Sequence, residues 1–224
     1  MGLCGCDPLL VYLGSAQMNR KSHSSGTQGY AEQAEALIPQ YESIPFTKRH
    51  EAELHLLPTA PSRILDIGAG TGVDAAWFAE QGHRVLAVEP TTEFRTAAMR
   101  LHPSRLIEWL DDVLPGLDKV LARGQHFDVV MLSAVWMHLD EEERRAGMPR
   151  LVSLLAPKGL LLLSLRHGPI PAGRRMFEVS GDETMELARQ HGLKVVLNVL
   201  TESLLPGNAA ADVTWTRLAF KRES

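Results

Sequence analysis

The chain has almost no cysteine: two in 224 residues, Cys4 and Cys6, both at the extreme N-terminus. One residue apart, they cannot staple a domain, so a disulfide framework is excluded and a reducing, cytoplasmic setting fits. Long apolar runs are also missing, and nothing approaches the ~18 consecutive apolar residues of a membrane span. Residues 8–16 are short and lack a basic flank, which argues against a signal peptide. Met1-Gly2 has the start of a myristoylation signal, but Cys6 stands where Ser or Thr is required. There is no basic surplus either: the formal net charge is −4, which leaves nucleic acid without an electrostatic footprint. His23 and His50 are too isolated in the sequence to suggest a metal.

What remains is an ordinary globular composition, 45% apolar, enough for one domain with a sizeable core. Residues 1–29 form a distinct tail. Its stretch 14–29 is small, polar and without period, and is expected to be disordered, with Met18 offering an alternative start. Residues 30–60 read as a helical lid. Ala31, Ala34, Leu37 and Ile38 share one face, Pro39 kinks or ends that helix, and a second helical stretch covers 47–57. From 61 to 224 strands and helices alternate. Strands are expected at 63–67, 84–89, 105–109, 127–132, 159–165, 193–199 and 213–220, and helices at 72–81, 92–101, 115–122, 141–155 and 182–191. Ser180 and Glu183 have the spacing of a capping box. This alternation predicts an α/β fold, doubly wound around a mostly parallel sheet. The last two strands have a turn signal and no helical pattern between them, so that pair should run antiparallel.

The chemistry begins at Asp66-Ile67-Gly68-Ala69-Gly70-Thr71-Gly72. A strand running into closely spaced glycines and then a helix brings bare backbone up to a ligand. Asp66, at the strand end, would repel a pyrophosphate and suits a cationic or hydroxyl-bearing ligand. Glu89 ends the second strand, where an acid can take a ribose diol; the competing reading is a solvated carboxylate. Asp111 and Asp112 follow the third strand and could accept from an adenine amino group, or simply cap a helix. Ser133 ends the fourth strand, on the side where open α/β sheets bind ligands. A nicotinamide-dependent fold would need a third glycine at position 73, where Val73 stands.

The ordered set of Asp66 to Gly72, Glu89, Asp111-Asp112, Phe127 to Val130 and Leu155-Ala156-Pro157-Lys158-Gly159-Leu160 resembles the class I S-adenosylmethionine-dependent methyltransferases. In the last segment Lys158 replaces a glycine of the family's turn. The resemblance implies a seven-stranded sheet of order 3-2-1-4-5-7-6, strand 7 antiparallel, with helices on both faces. It implies S-adenosyl-L-methionine as cofactor, held by Asp66, Gly68, Ala69, Gly70, Glu89, Asp111 or Asp112, and Ser133. The family's N-terminal helices close over the cofactor, which places Tyr41 near its carboxylate end.

The acceptor is less legible, because the cofactor carries the reactivity. The turn after strand four reads Ser133-Ala134-Val135-Trp136, without the Pro-Pro-aromatic pattern of many enzymes acting on amide or exocyclic nitrogens. The core also lacks the nucleophilic cysteine that pyrimidine C5 methylation needs. A small molecule is therefore expected. Arg166, Arg174 and Arg175 in the loop after strand five favour an anionic or polar one. His138 and His167 are the candidate bases, with Arg166 beside them; His50 and Glu42 are weaker ones. Trp136 either walls the methyl channel or packs in the core, and Trp215 belongs to the core. A cofactor-binding sensor without turnover remains the alternative to an enzyme.

Overall fold

The computed structural model describes residues 1, 25–27 and 29–223. Cys4, Cys6, Met18 and His23, and with them most of the expected tail, lie outside the described residues. The N-terminal segment contributes two helices, α1 (Ala34–Glu42) and α2 (Phe46–Arg49). Next comes β1 (Arg63–Ile67), α3 (Val73–Glu80), β2 (Arg84–Val88), α4 (Thr92–Leu101), β3 (Ile107–Leu110) and α5 (Asp118–Leu121). β4 (Phe127–Leu132), α6 (Glu141–Leu154), β5 (Leu155–His167), α7 (Gly181–Gln190), β6 (Leu193–Glu202), α8 (Pro206–Ala209) and β7 (Thr214–Arg222) complete the chain. The sheet order is β3-β2-β1-β4-β5-β7-β6. β1 to β5 pair parallel, and β7 runs antiparallel between β5 and β6.

Both faces of the sheet are covered, which is why the inner strands read as continuous apolar runs rather than alternating ones. Leu65, Ile67, Leu161 and Leu163 point to one core, closed by Met148 and Leu151 of α6 and Met185 of α7. Ile64, Val129, Met131 and Leu162 point to the other, closed by Ala75 and Phe78 of α3 and Phe46 of α2. Strand alternation puts Asp66 on the Ile64 side, beneath α2 and α3. That places a carboxylate on the inner face of the sheet, next to the apolar core.

Several boundaries differ from the sequence reading, each for a local reason. Pro39 neither ends nor breaks α1, which continues to Glu42; only the hydrogen bond to the carbonyl of Glu35 is forfeited. The expected helix 47–57 breaks at His50, whose ring turns inward to Asp74, and resumes only as a short 3₁₀ turn at Leu54–Leu56. The helix expected at 115–122 shrinks to one turn, because Leu117 takes the left-handed conformation (φ 49) at its start. β5 begins at Leu155, before the turn rather than after it, and a register shift against β4 absorbs residues 156–159. Lys158 sits there at φ 64, a conformation that favours glycine, which matches the glycine the family resemblance implies at that position. The β6–β7 link carries the single-turn helix α8 where none was expected, started by Pro206 at its first position. Ser180 caps α7, but the Glu183 carboxylate turns away to Arg144, so only half of the box forms. The complete box is at Asp140 and Glu143, heading α6.

Candidate active site

The carboxyl ends of β1, β2, β4 and β5 open into a cavity of about 450 Å³, roofed by the N-terminal segment and walled by β7. That size suits one cofactor with part of a second ligand. Its floor is the glycine turn. The Gly68 and Ala69 N–H groups donate to the Val88 carbonyl at 2.8 and 3.0 Å, which locks the turn to β2. Gly68 is left-handed (φ 71), and a Cβ on it would lie 2.4 Å from Val135 Cγ2. Glycine is therefore required there by conformation and by space.

Glu89 stands opposite this turn and is 5% exposed. Its Oε2 accepts from the Gly70 N–H at 2.8 Å and its Oε1 from the Thr91 N–H at 2.7 Å. Burial raises its pKa and the two backbone donors oppose that rise. Asp66, 1% exposed, faces the same cavity, and among the described residues its Oδ2 has no hydrogen-bond partner. Burial raises its pKa well above the carboxylate range, reinforced by the Asp74 and Glu89 charges.

Asp74, in the first turn of α3, is equally buried but compensated. Arg49 Nη1 donates to its Oδ1 and His50 Nε2 to its Oδ2, both at 3.0 Å. Burial alone would raise its pKa, but His50 and Arg49 together pull it far below the usual range. Arg217 on β7 joins this cluster through Glu53 at 3.8 Å. Ser164, Arg166, Trp215 and Arg217 lie on one face of the β5–β7 pair, in registered partners, and all line the cavity.

A further wall of the cavity is built around His138. Its Nδ1 is 2.7 Å from the Arg175 carbonyl, which can only accept, so Nδ1 carries the proton. Nε2 then accepts from the Tyr30 hydroxyl at 2.9 Å. Burial lowers the His138 pKa, and the neighbouring Arg174 and Arg175 charges add to that. The ring is thus a neutral imidazole with its lone pair toward Tyr30. The Arg174 guanidinium stacks on the Tyr30 ring, 3.5 Å from its centre, and its Nη1 is buried without a partner. Arg175 ties the loop down instead, pairing with Asp140 at 2.8 Å and Glu143 at 2.7 Å. Asp140→Ala removes both that pair and the α6 cap. It is expected to lower stability by about 1 kcal/mol in urea denaturation.

The structure brings most of the expected site residues to this one cavity. Asp66, Gly68, Ala69, Gly70, Glu89, Asp112, Tyr41, Ser133, His138 and Arg166 all line it. Two do not reach it. Asp111 is exposed and lies 3.9 Å from Arg95 and Lys119. His167 turns to the Thr216 hydroxyl at 2.7 Å, outside the lining. Asp112 reaches the cavity, but its Oδ2 accepts from the Lys119 and Val120 N–H groups as the cap of α5. Trp136 is fully buried in the core, while Trp215, expected in the core, is half-buried and faces the cavity. Sequence reasoning passed over Tyr30, Arg49, Asp74 and Arg217. Asp74 alone carried a signal, as an acid two residues past the glycine run. Among the described residues no three His, Cys, Asp or Glu side chains converge as metal ligands. None of their helices is long and apolar enough to cross a membrane.

Residues 64–159 match the sequence model of a methyltransferase domain family. Glycine N-methyltransferase of Mus musculus is 28% identical over 135 residues, covering 51% of this chain and 46% of that protein. The chain thus spans about half the length of that relative. An uncharacterized methyltransferase of Oceanobacillus iheyensis is 24% identical over 170 residues, 75% of this chain and 72% of that one. Among solved structures, the N-methyltransferase NodS of Bradyrhizobium japonicum, in complex with S-adenosyl-L-homocysteine, matches with a TM-score of 0.64 at 18% identity. That match covers 87% of this chain and 98% of the other. At this identity the likeness speaks to the fold.

Proposed function

With a class I methyltransferase domain as its frame, we propose that the protein transfers the methyl group of S-adenosyl-L-methionine to a small, anionic acceptor. The observation that carries this reading is the convergence of Asp66, Gly70 and Glu89 on one cavity wall. The orphaned Asp66 Oδ2 calls for a cationic or hydrogen-bond-donating partner, and the α-ammonium of the cofactor supplies one. Each Glu89 oxygen accepts one backbone N–H and keeps a lone pair for a ribose hydroxyl. Val113 and Leu114 offer apolar walls for an adenine, while Asp112, engaged as a helix cap, is a poor partner for its amino group. Tyr41, stacked on Phe94, closes the methionine end.

The cofactor supplies an electrophilic methyl on its sulfonium, which an acceptor lone pair displaces in line. The chain's own residues hold and orient the acceptor. Arg166 donates only to backbone carbonyls, and Arg174 has a buried free donor. Among the described residues neither has a carboxylate partner, so this half of the cavity is cationic and favours an anionic group. His138, a neutral imidazole, could take a proton from the acceptor through the Tyr30 hydroxyl that its Nε2 holds. Nucleic acid is not the expected partner, and the absence of cysteine beyond residue 6 fits a cytoplasmic setting.

A thermal-shift screen with S-adenosylmethionine, S-adenosylhomocysteine, NAD and NADP tests the cofactor. Saturation by the first two should raise the midpoint by roughly 5–10 °C. Stabilisation by a dinucleotide alone would overturn the reading. Transfer of a labelled methyl group to a panel of small carboxylates then tests turnover. Binding without transfer to any anionic or neutral small molecule would favour a sensor.

A further inference from the structure

We infer that cofactor binding displaces a proton from Asp66, the α-ammonium of the ligand taking that proton's place. The inference rests on the reading that this cavity holds S-adenosylmethionine. It starts from the unequal treatment of three carboxylates around one glycine turn. Asp74 has two cationic partners at 3.0 Å. Glu89 has two backbone N–H donors. Asp66 Oδ2, though fully buried, has no hydrogen-bond partner among the described residues. A buried carboxylate without a partner favours its neutral form, because ionising it would set an unpaired negative charge beside Asp74 and Glu89.

The charged and titratable groups facing Asp66 are known from every element packed on it. α2 presents Arg49 and, at its end, His50; α3 presents Asp74; the end of β2 presents Glu89. Glu53 and Arg217 lie farther off, across the same cluster. Arg49 is the one cation that acts appreciably on Asp66, and its Nη1 is already committed to Asp74. The burial-driven rise in the Asp66 pKa agrees with this geometry. A ligand ammonium entering beside Oδ2 supplies the missing positive charge, and Asp66 then ionises and releases its proton to solvent. By linkage, cofactor affinity should rise with pH up to the titration of free Asp66 and level off above it.

Isothermal titration calorimetry of the full chain, in two buffers of different ionisation enthalpy at about pH 6, tests the inference; the ligand ammonium is itself fully protonated there. S-adenosylhomocysteine binding should release protons to the buffer. 5′-Methylthioadenosine, which lacks the amino-acid end, should bind with essentially none. Below the Asp66 titration the S-adenosylhomocysteine Kd should tighten up to roughly tenfold per pH unit, while the methylthioadenosine Kd stays flat. Asp66→Asn should bind S-adenosylhomocysteine without proton release, whereas His50→Gln should keep the release. Equal release with the two ligands, no release with S-adenosylhomocysteine, or release that survives Asp66→Asn and vanishes in His50→Gln would overturn the inference. Should Asp66→Asn not fold, the two ligands on the unaltered protein decide alone. Failure of S-adenosylhomocysteine to bind at all is a separate result, which removes the functional reading and this inference together.

Discussion

Replacing Asp74 by alanine is expected to destabilise the protein by about 3–5 kcal/mol, the usual cost of stripping one partner from a buried ion pair. The side chain is 5% exposed, and so is almost all of what it neutralises: His50 is 3% exposed and Arg49 20%. Without the carboxylate, two cationic groups face each other beneath the sheet. The pair also sets a pH window. The His50 pKa is raised: burial alone would lower it, but the Asp74 charge and hydrogen bond outweigh that. Asp74 is depressed by His50 and Arg49. The His50 contribution is full below the ordinary histidine value and fades as pH rises. The Asp74 contribution is full above the ordinary aspartate value and fades as pH falls. Their joint stabilisation is therefore greatest between about pH 4 and 6.5. Urea denaturation across that range measures it. A loss under about 1 kcal/mol, in the range of exposed ion pairs, would show the cluster to be solvated.

Glu89→Ala should weaken cofactor binding by about 1.5–3 kcal/mol, the worth of hydrogen bonds to a charged group. That corresponds to a loss of roughly 10- to 150-fold in affinity. The carboxylate acts twice. It anchors the turn at Gly70, and on the proposed reading its remaining lone pairs take the ribose. Glu89→Gln separates the two roles, because a side-chain amide must aim a donor at one of the two backbone N–H groups. It should therefore loosen the turn even where one ribose contact survives. Titration of both variants with S-adenosylhomocysteine decides, and unchanged affinity in Glu89→Ala would remove this residue from the site.

The glycine-turn wall of the cavity was legible because its constraints are local. A strand end, a turn that tolerates only glycine and the next strand's acid all fall within 24 residues, from Asp66 to Glu89. The antiparallel β7 was legible for a similar reason, since a turn signal with no helix behind it leaves few alternatives. The rest of the cavity wall depends on contacts that no period encodes. Tyr30 meets His138 across 108 residues, and Arg49 meets Asp74 across 25. Asp111 and Asp112 show the limit at close range. Adjacent residues on an extended stretch point opposite ways, and only the fold settles which one faces the cavity. His167 was misplaced by the same alternation, one position past Arg166.

The site is also divided along the chain. The glycine turn, Glu89, Asp112 and His138 all fall inside one continuous stretch, the one that matches the methyltransferase domain. Tyr30, Arg49, Arg166, Arg174, Trp215 and Arg217 lie before or after it. On the proposed reading, most of the surface that presents the methyl group lies in this one cassette, with Tyr41 and Arg49 added from before it, and much of the surface that would choose the recipient comes from the flanks. Exchanging those flanks between proteins of this plan would alter the recipient while leaving the donor in place, so a chimera is a more direct route to new selectivity than point changes in the cassette.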